Sequence, residues 1–345
     1  MRVIQWATGA VGRTTLRRVI DDPDLELVGI YVRDPKKAGL DAGVIAKRPP
    51  TGVLATNDIE AILALEADAV IHVPLISVPY EDQNADVIRL LASGKNVLST
   101  NGFYKPDIHG EAYAGPLRAA ALKGNATLAG VGMNPGFIAE RMALMLTGLM
   151  SKLQHIHCHE FFDAALSPSW PLLTEAMGFA APLDANIAKG PIGQMYDGYY
   201  AETLHMMAER VGTRVVDIRS DHEITAAPED LVLAAGVVPK GTVAATLWRW
   251  NGRFENGITM THSILWTASS ALHDESDTAH WVVEIKGRPN VRATLELTDP
   301  DPGAPRSRPA IDATAAVLIG AIRDVVAAPP GFYALPEVLP FAGLN

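Results

Sequence analysis

From Arg2 to Val131, short apolar runs alternate with segments whose apolar positions recur every three or four residues. Arg2 to Ala7 reads as a strand. Arg13 to Asp22 carries Leu16, Val19 and Ile20 at helical spacing, and Leu25 to Val32 reads as a second strand. These segments make one βαβ unit. Ala69 to Val73, Asn96 to Thr100 and Thr127 to Val131 are further buried-strand candidates, with a helix from Asp82 to Ala92 between the first two. Such alternation predicts an α/β fold: a doubly wound, mainly parallel sheet of Rossmann type with helices on both faces.

Beyond Asn134 the pattern changes. Ile138 to Met150 and Ile192 to Val211 read as helices, the second able to pack either a dimer or its own domain core. His155 to Asp163, Thr213 to Ile224, Thr242 to Trp250, Ile258 to Trp266, Trp281 to Ile285 and Val291 to Leu297 read as strands. Turn signals at Asn251-Gly252 and Asn256-Gly257 suit antiparallel hairpins. A second domain of α+β type on a mainly antiparallel sheet is therefore expected. The proline-rich stretch from Asp299 to Pro309 reads as a loop, and apolar Ala313 to Val326 as a helix returning to the first domain. The expected division is 1–135, 136–310 and a C-terminal helix and tail over 311–345.

Composition narrows the function classes. The 345 residues are 48% hydrophobic and 20% charged with mean hydropathy +0.12, so the chain buries enough surface to fold. A net charge of −10 without a long basic run repels a phosphate backbone, which disfavours nucleic acid as a partner and points to small ligands. The single cysteine, Cys158, excludes an intrachain disulfide and a Cys-rich zinc module. The longest apolar stretches, such as Ala69 to Tyr80, fall short of the ~20 residues of a membrane helix. The N-terminus lacks the three regions of a signal peptide, so a cytoplasmic protein is expected.

Between the first strand and helix lies Ala7-Thr8-Gly9-Ala10-Val11-Gly12, a G-x-G-x-x-G pattern with alanine in first place. Small residues there let backbone N–H groups reach a pyrophosphate at a helix N-terminus. Gly9, Ala10, Val11 and Gly12 are the expected pyrophosphate residues, and Ala7 fits if its φ is negative. The second strand ends in Val32-Arg33-Asp34-Pro35-Lys36-Lys37. Basic residues there attract a 2′-phosphate, so Arg33 and Lys36 favour NADP, with NAD possible because of Asp34.

Val3 to Gly9, Asn96-Val97-Leu98-Ser99-Thr100, Gly132-Met133-Asn134-Pro135-Gly136-Phe137, Ala176-Met177-Gly178-Phe179 and Ala328-Pro329-Pro330-Gly331 together resemble the dihydrodipicolinate reductase-like oxidoreductases. The resemblance is strongest to the branch of 2,4-diaminopentanoate dehydrogenase and the native amine dehydrogenases, and spans nearly the whole chain. It implies a Rossmann domain, a sheet-rich substrate-binding and dimerisation domain, a homodimer without metal, and hydride transfer between NAD(P)H and an imine formed from a carbonyl compound and ammonia. The His-His stretch and Ser-Gly-Thr segment of dihydrodipicolinate reductase itself do not occur here. The amine dehydrogenase branch places a glutamate after the strand matching Asn96 to Thr100, where it is thought to activate ammonia. In this chain that position is Phe103.

The loop offers Asn101 as a hydrogen-bond donor, Tyr104 as an acid and Lys105 as a cation beside it, a set that suits a carbonyl. Asn101 and Tyr104 are the expected catalytic residues. His72, Thr100 and Asn134 are expected at the nicotinamide edge, with Asn134 also an N-cap and Pro135 a first helical residue. Phe103, His159, Trp170 and Phe179 are expected to line the substrate pocket. His155, His157 and His159 share one strand face, which suits hydrogen bonding better than a metal, and Glu160 and Asp163 are candidate displaced acids. The expected activity is NADP-preferring reduction of a small apolar carbonyl compound or its imine. The alternatives are a true ammonia-dependent enzyme using a displaced carboxylate, and a non-catalytic NADP(H) sensor.

Overall fold

Strand β1 (Arg2–Trp6) is apolar on successive positions, which suits a strand covered on both faces. In the computed structural model, which describes residues 1–165, 167, 169–274, 280–301 and 308–335, β1 lies inside a seven-stranded, wholly parallel sheet. Its other strands are β2 (Glu26–Tyr31), β3 (Ala55–Thr56), β4 (Ala69–His72), β5 (Asn96–Ser99), β6 (Thr127–Gly130) and, from the end of the chain, β15 (Gly331–Phe332). Their order is β15-β6-β5-β4-β1-β2-β3. The chain reverses direction of growth between β1 and β4, which opens a crevice at their carboxyl ends.

The strand period of two splits the core into two layers. Ile4, Trp6, Val70, Val97 and Leu128 face helices α4 (Asn84–Ala92) and α5 (Glu111–Gly124). Val3, Ile71, Leu98 and Ala129 face α1 (Ala10–Asp21) and α8 (Pro309–Ala327). Leu318, Ile322 and Val325 of α8 are fully buried, each contributing about 1.5–3 kcal/mol of transfer free energy. Two short helices, α2 (Ala42–Ala46) and α3 (Ile59–Leu63), complete this unit. The unit comprises Met1–Phe137 and the segment from Thr298, so the proline-rich stretch and α8 belong with the first sheet. Residues 302–307 of that stretch, and 336–345 of the expected tail, lie outside the described residues.

The second unit, Ile138–Leu297, carries β7 (Lys152–Asp163), β8 (Val215–Ala226), β11 (Val243–Phe254), β12 (Thr259–Thr267), β13 (Trp281–Arg288) and β14 (Val291–Leu295). They form a six-stranded sheet in the order β14-β13-β7-β12-β11-β8, antiparallel except for the β7–β12 pair. A separate hairpin joins β9 (Leu231–Leu233) to β10 (Gly236–Val238). After the short α6 (Leu144–Thr147) and β7, helix α7 (Pro191–Arg210) covers the sheet. Tyr200 stacks on Trp250 at 4.1 Å and on His262 at 4.7 Å, and Tyr196 meets Trp248 and Trp266, so this helix serves its own core.

One turn signal fails. Asn251-Gly252 lies inside β11, and the hairpin to β12 turns at Asn256-Gly257, where Gly257 has φ 86°. Gly252 is small for another reason: a Cβ there would stand 3.2 Å from Leu204 of α7.

Candidate active site

The glycine loop forms the turn that the sequence pattern predicts, with one correction. Ala7 has φ 75°, not a negative value, so an alanine occupies the left-handed position usually given to glycine. Its N–H donates to Tyr31 O at 2.9 Å and its carbonyl accepts from Gln5 Nε2 at 3.0 Å, which hold it there. A Cβ on Gly12 would lie 2.2 Å from Ala7 O, so only glycine lets α1 pack this close to β1. Gly9 caps α1, and nothing stands within 4 Å of where its Cβ would be. That open cradle, with the N–H groups of Ala10 and Val11 at the helix N-terminus, fits the pyrophosphate of a dinucleotide.

The basic loop is arranged around Asp34. Its carboxylate accepts from Lys36 N at 3.0 Å and so caps the Pro35–Lys37 turn instead of standing over the loop. Arg33 and Lys36 are exposed. Lys37, the second lysine of the basic run, reaches the glycine loop: its Nζ donates to Thr8 Oγ1 at 3.0 Å and to Thr8 O at 3.4 Å. A cation is thus fixed beyond the end of β2, against the glycine loop.

At the carboxyl edge of β4 and β5 a chain of hydrogen bonds orders the next loop. His72 Nδ1 lies 3.0 Å from Ser99 Oγ, and that oxygen accepts from Asn101 N at 3.1 Å. Asn101 O accepts from Gln83 Nε2 at 3.0 Å, and Thr100 Oγ1 donates to Asn101 Oδ1 at 3.3 Å. The backbone and side-chain oxygens of Asn101 are therefore committed. Its Nδ2 is buried and has no acceptor among the described residues. Such a donor is costly to leave unmet, and an incoming oxygen or nitrogen would satisfy it.

Phe103 is not in a pocket. With φ 67° and no exposure, it turns into the sheet core among Val97, Leu117 and Leu128. The adjacent Gly102, φ 92°, lets the loop fold over β6 so tightly that a Cβ on Gly130 would lie 2.4 Å from Gly102 O. Tyr104 consequently points the other way from Phe103. Its hydroxyl would stand 3.1 Å from a Cβ on Gly136 and 3.4 Å from one on Gly132, so both glycines make room for the phenol. Lys105, next to it, is half-buried.

Asn134 has the extended backbone of an N-cap, φ −132°, ψ 126°, and Pro135 opens a wide helical segment that runs on to Ala143, with Phe137 N donating to Gly132 O at 2.8 Å. Wide turns of this kind frequently sit at functional sites. Further along the segment, Glu140 is nine-tenths buried, and desolvation raises its carboxyl to about 7. The sequence reading missed it. Its signal was the Glu140-Arg141 pair inside an otherwise apolar stretch from Phe137 to Ala143.

In the second unit the expected pocket residues do not converge. His157 Nε2 and His159 Nδ1 both lie 2.8 Å from Ser263 Oγ, and His155 Nδ1 lies 2.8 Å from Thr259 Oγ1, so the triplet is a hydrogen-bonded face. No group of three His, Cys, Asp or Glu among the described residues is placed to hold a metal ion. Trp170 lies against the backbone of Gly236 in the β9–β10 hairpin, and Phe179 is buried in its own segment. Glu160 accepts from the indoles of Trp281 at 3.0 Å and Trp266 at 3.4 Å, and exposed Asp163 accepts from Ala165 N at 2.8 Å. Both candidate displaced acids thus have local structural duties.

Burial makes several histidines acid-sensitive, His72 and His262 most strongly. His72 and His262, 2% and 0% exposed, are pushed down to about 3 from 6.5 by desolvation. The folded pKa lies below the unfolded one, so stability is complete above the unfolded value and lost as pH falls. The loss is about 1.4 kcal/mol per pH unit for each ring. Melting temperatures should be level near neutrality and fall steeply below about pH 6. A melting temperature unchanged down to about pH 5 would mean that these rings are not sealed.

No family model matches the sequence. An amine dehydrogenase of Streptomyces virginiae is 30% identical over 344 residues, covering 96% of this chain and 94% of that protein. A 4-hydroxy-tetrahydrodipicolinate reductase of Synechococcus elongatus is 38% identical over 63 residues, 18% of this chain and 23% of its own. Among solved structures, an amine dehydrogenase from Mycobacterium smegmatis matches with TM-score 0.80 at 18% identity, covering 98% of this chain and 95% of that one. No helix among the described residues is long and apolar enough to cross a membrane.

Proposed function

The chain belongs to the amine dehydrogenase family of NAD(P)-dependent oxidoreductases, and on that premise we propose that it reduces a small apolar carbonyl compound, or the imine derived from it, with a preference for NADPH. The observation that carries this reading is the pairing at the β5 loop. The residue where the resemblance implies an ammonia-activating glutamate is Phe103, buried in the core, while Asn101 Nδ2 has no acceptor among the described residues.

Gly9, Ala10, Val11 and Gly12 hold the pyrophosphate, and Lys37 with Arg33 and Lys36 holds the 2′-phosphate. His72, Thr100 and Asn134 border the nicotinamide. The cofactor, when bound, supplies hydride to the substrate carbon. Asn101 donates its free N–H to the carbonyl oxygen or imine nitrogen and stabilises the negative charge that develops there. Tyr104 gives that atom its proton, so a carbonyl leaves as an alcohol and an imine as an amine. His72 stays neutral at working pH and only orients Ser99. The substrate domain and a homodimer follow from the family reading.

A second reading is a true ammonia-dependent enzyme that uses a displaced carboxylate, favoured by the 30% identity to an amine dehydrogenase over 96% of the chain. The test is NADPH oxidation over a panel of small aldehydes and ketones, each with and without ammonium at alkaline pH. The first reading expects turnover without ammonium. Turnover only with ammonium supports the second, and tight NADPH binding with no turnover supports a sensor. In the same assay Lys37→Ala should raise KM for NADPH about tenfold and leave KM for NADH nearly unchanged. Equal effects on both cofactors would remove the NADP preference.

A further inference from the structure

The second unit contains a cavity of about 740 Å³ between the loop that leads into α7 and the face of β8 and β11. None of Glu160, Trp170, Phe179 and His159 lines it. Its size is in the range of small-molecule pockets. Two of its lining side chains carry a buried polar atom with no partner among the described residues: Trp248 Nε1, on a side chain 2% exposed, and His222 Nε2. The two rings lie 3.9 Å apart, centroid to centroid.

These atoms restrict what can bind. An indole N–H is a donor only, so the occupant must bring an acceptor to Trp248. Asp184 and Asp197 also line the cavity, against a single cation, Lys189. Asp197 Oδ1 accepts from Trp250 Nε1 at 2.8 Å, which fixes that carboxylate in place and leaves its second oxygen available. The third acid, Asp221, is already paired with Arg249 and Asn251. A simple anion would meet the repulsion of Asp184 and Asp197, and a simple amine would leave the Trp248 N–H unmet. A zwitterion answers both requirements, and Ile224, Val243 and Ile187 provide apolar wall for a side chain.

We propose that this cavity binds a free apolar amino acid, with its carboxylate accepting from Trp248 Nε1 and His222 and its ammonium held by Asp197 and Asp184. The site lies within the second unit alone and stands independently of the reductase reading.

Calorimetric titration of the full chain without nicotinamide cofactor tests it, with leucine as probe and two molecules that each lack one charge, 3-methylbutylamine and 4-methylpentanoate. Leucine should bind saturably, and each half-probe should bind at least about tenfold more weakly. Trp248→Phe removes the N–H and keeps a ring, and Asp197→Asn removes the charge while its amide oxygen still accepts from Trp250. Each should weaken leucine about tenfold or more. A melting curve checks that both variants fold, and either one alone suffices for the comparison. The proposal is overturned if leucine fails to bind up to roughly 10 mM, far weaker than a functional site. It is equally overturned if 3-methylbutylamine matches leucine, or if a folded variant binds leucine like the parent protein.

Discussion

Tyr104→Phe should lower kcat on carbonyl substrates by roughly 10²–10⁴-fold, the range for loss of a positioned proton donor. KM for NADPH should stay nearly constant, because the glycine loop and Lys37 are untouched. The substitution removes one oxygen and keeps the ring, which is seated against Gly132 and Gly136. Loop geometry should therefore survive. The diagnostic readout is the split between the kinetic constants: kcat should fall while KM for the carbonyl substrate holds, since a proton given only in the transition state is lost. A variant with a lower melting temperature but intact kcat would assign Tyr104 to packing and return the proton to another donor. Gly136→Ala offers a cross-check. Its new Cβ would press on the phenol at 3.1 Å, so it should impair kcat through the same residue without removing the hydroxyl.

The parts of this fold that were legible in the sequence are those where burial on both faces leaves an unbroken apolar run. Strands β1, β4, β5 and β6 fall within a residue or two of their expected limits for that reason, whereas in the second sheet β7 begins three residues before its expected start and β11 runs four beyond its expected end. Helix α5 was missed because its buried positions are mostly alanine, Ala114, Ala120 and Ala121, with Gly115 and Pro116 among them, which leaves little hydrophobic contrast. Strands β3 and β15 are two residues long and exist only because a neighbour offers an edge. No periodicity can register them.

The site shows the same boundary. Spacing alone revealed that Gly9 stands between strand and helix and Gly12 in the first turn of that helix, since their chemistry is local. Phe103 was misplaced because its direction depends on a left-handed backbone in a loop, a choice made by the close approach of Gly102 to Gly130. Lys36 was preferred to Lys37 although the Asp34 cap turns Lys37 toward Thr8. The histidine triplet was correctly given one face, yet its partner Ser263 lies more than a hundred residues away on a parallel neighbour. Long-range pairing of that kind leaves no trace in local pattern.

Asn101→Ala should cost roughly 10²–10³ in kcat, the usual effect of deleting one donor aimed at a developing oxyanion. The case for polarisation over mere positioning rests on which atoms hold the loop. Ser99 is bonded by Asn101 N and Gln83 by Asn101 O, both backbone, and neither bond changes in the variant. The side chain contributes Oδ1, toward Thr100, and Nδ2, which has no acceptor among the described residues. Asn101→Asp separates these two atoms. It keeps the shape and the acceptor toward Thr100, and replaces the donor by a carboxylate oxygen that would repel a developing anion. If Nδ2 polarises the substrate, Asn101→Asp should be at least as damaging as alanine, with NADPH binding preserved. If the residue acts only by supporting Thr100, Asn101→Asp should retain most of the activity that Asn101→Ala loses. The order of the two variants, read from kcat at saturating NADPH, decides between a donor on the reacting atom and a prop for its neighbour.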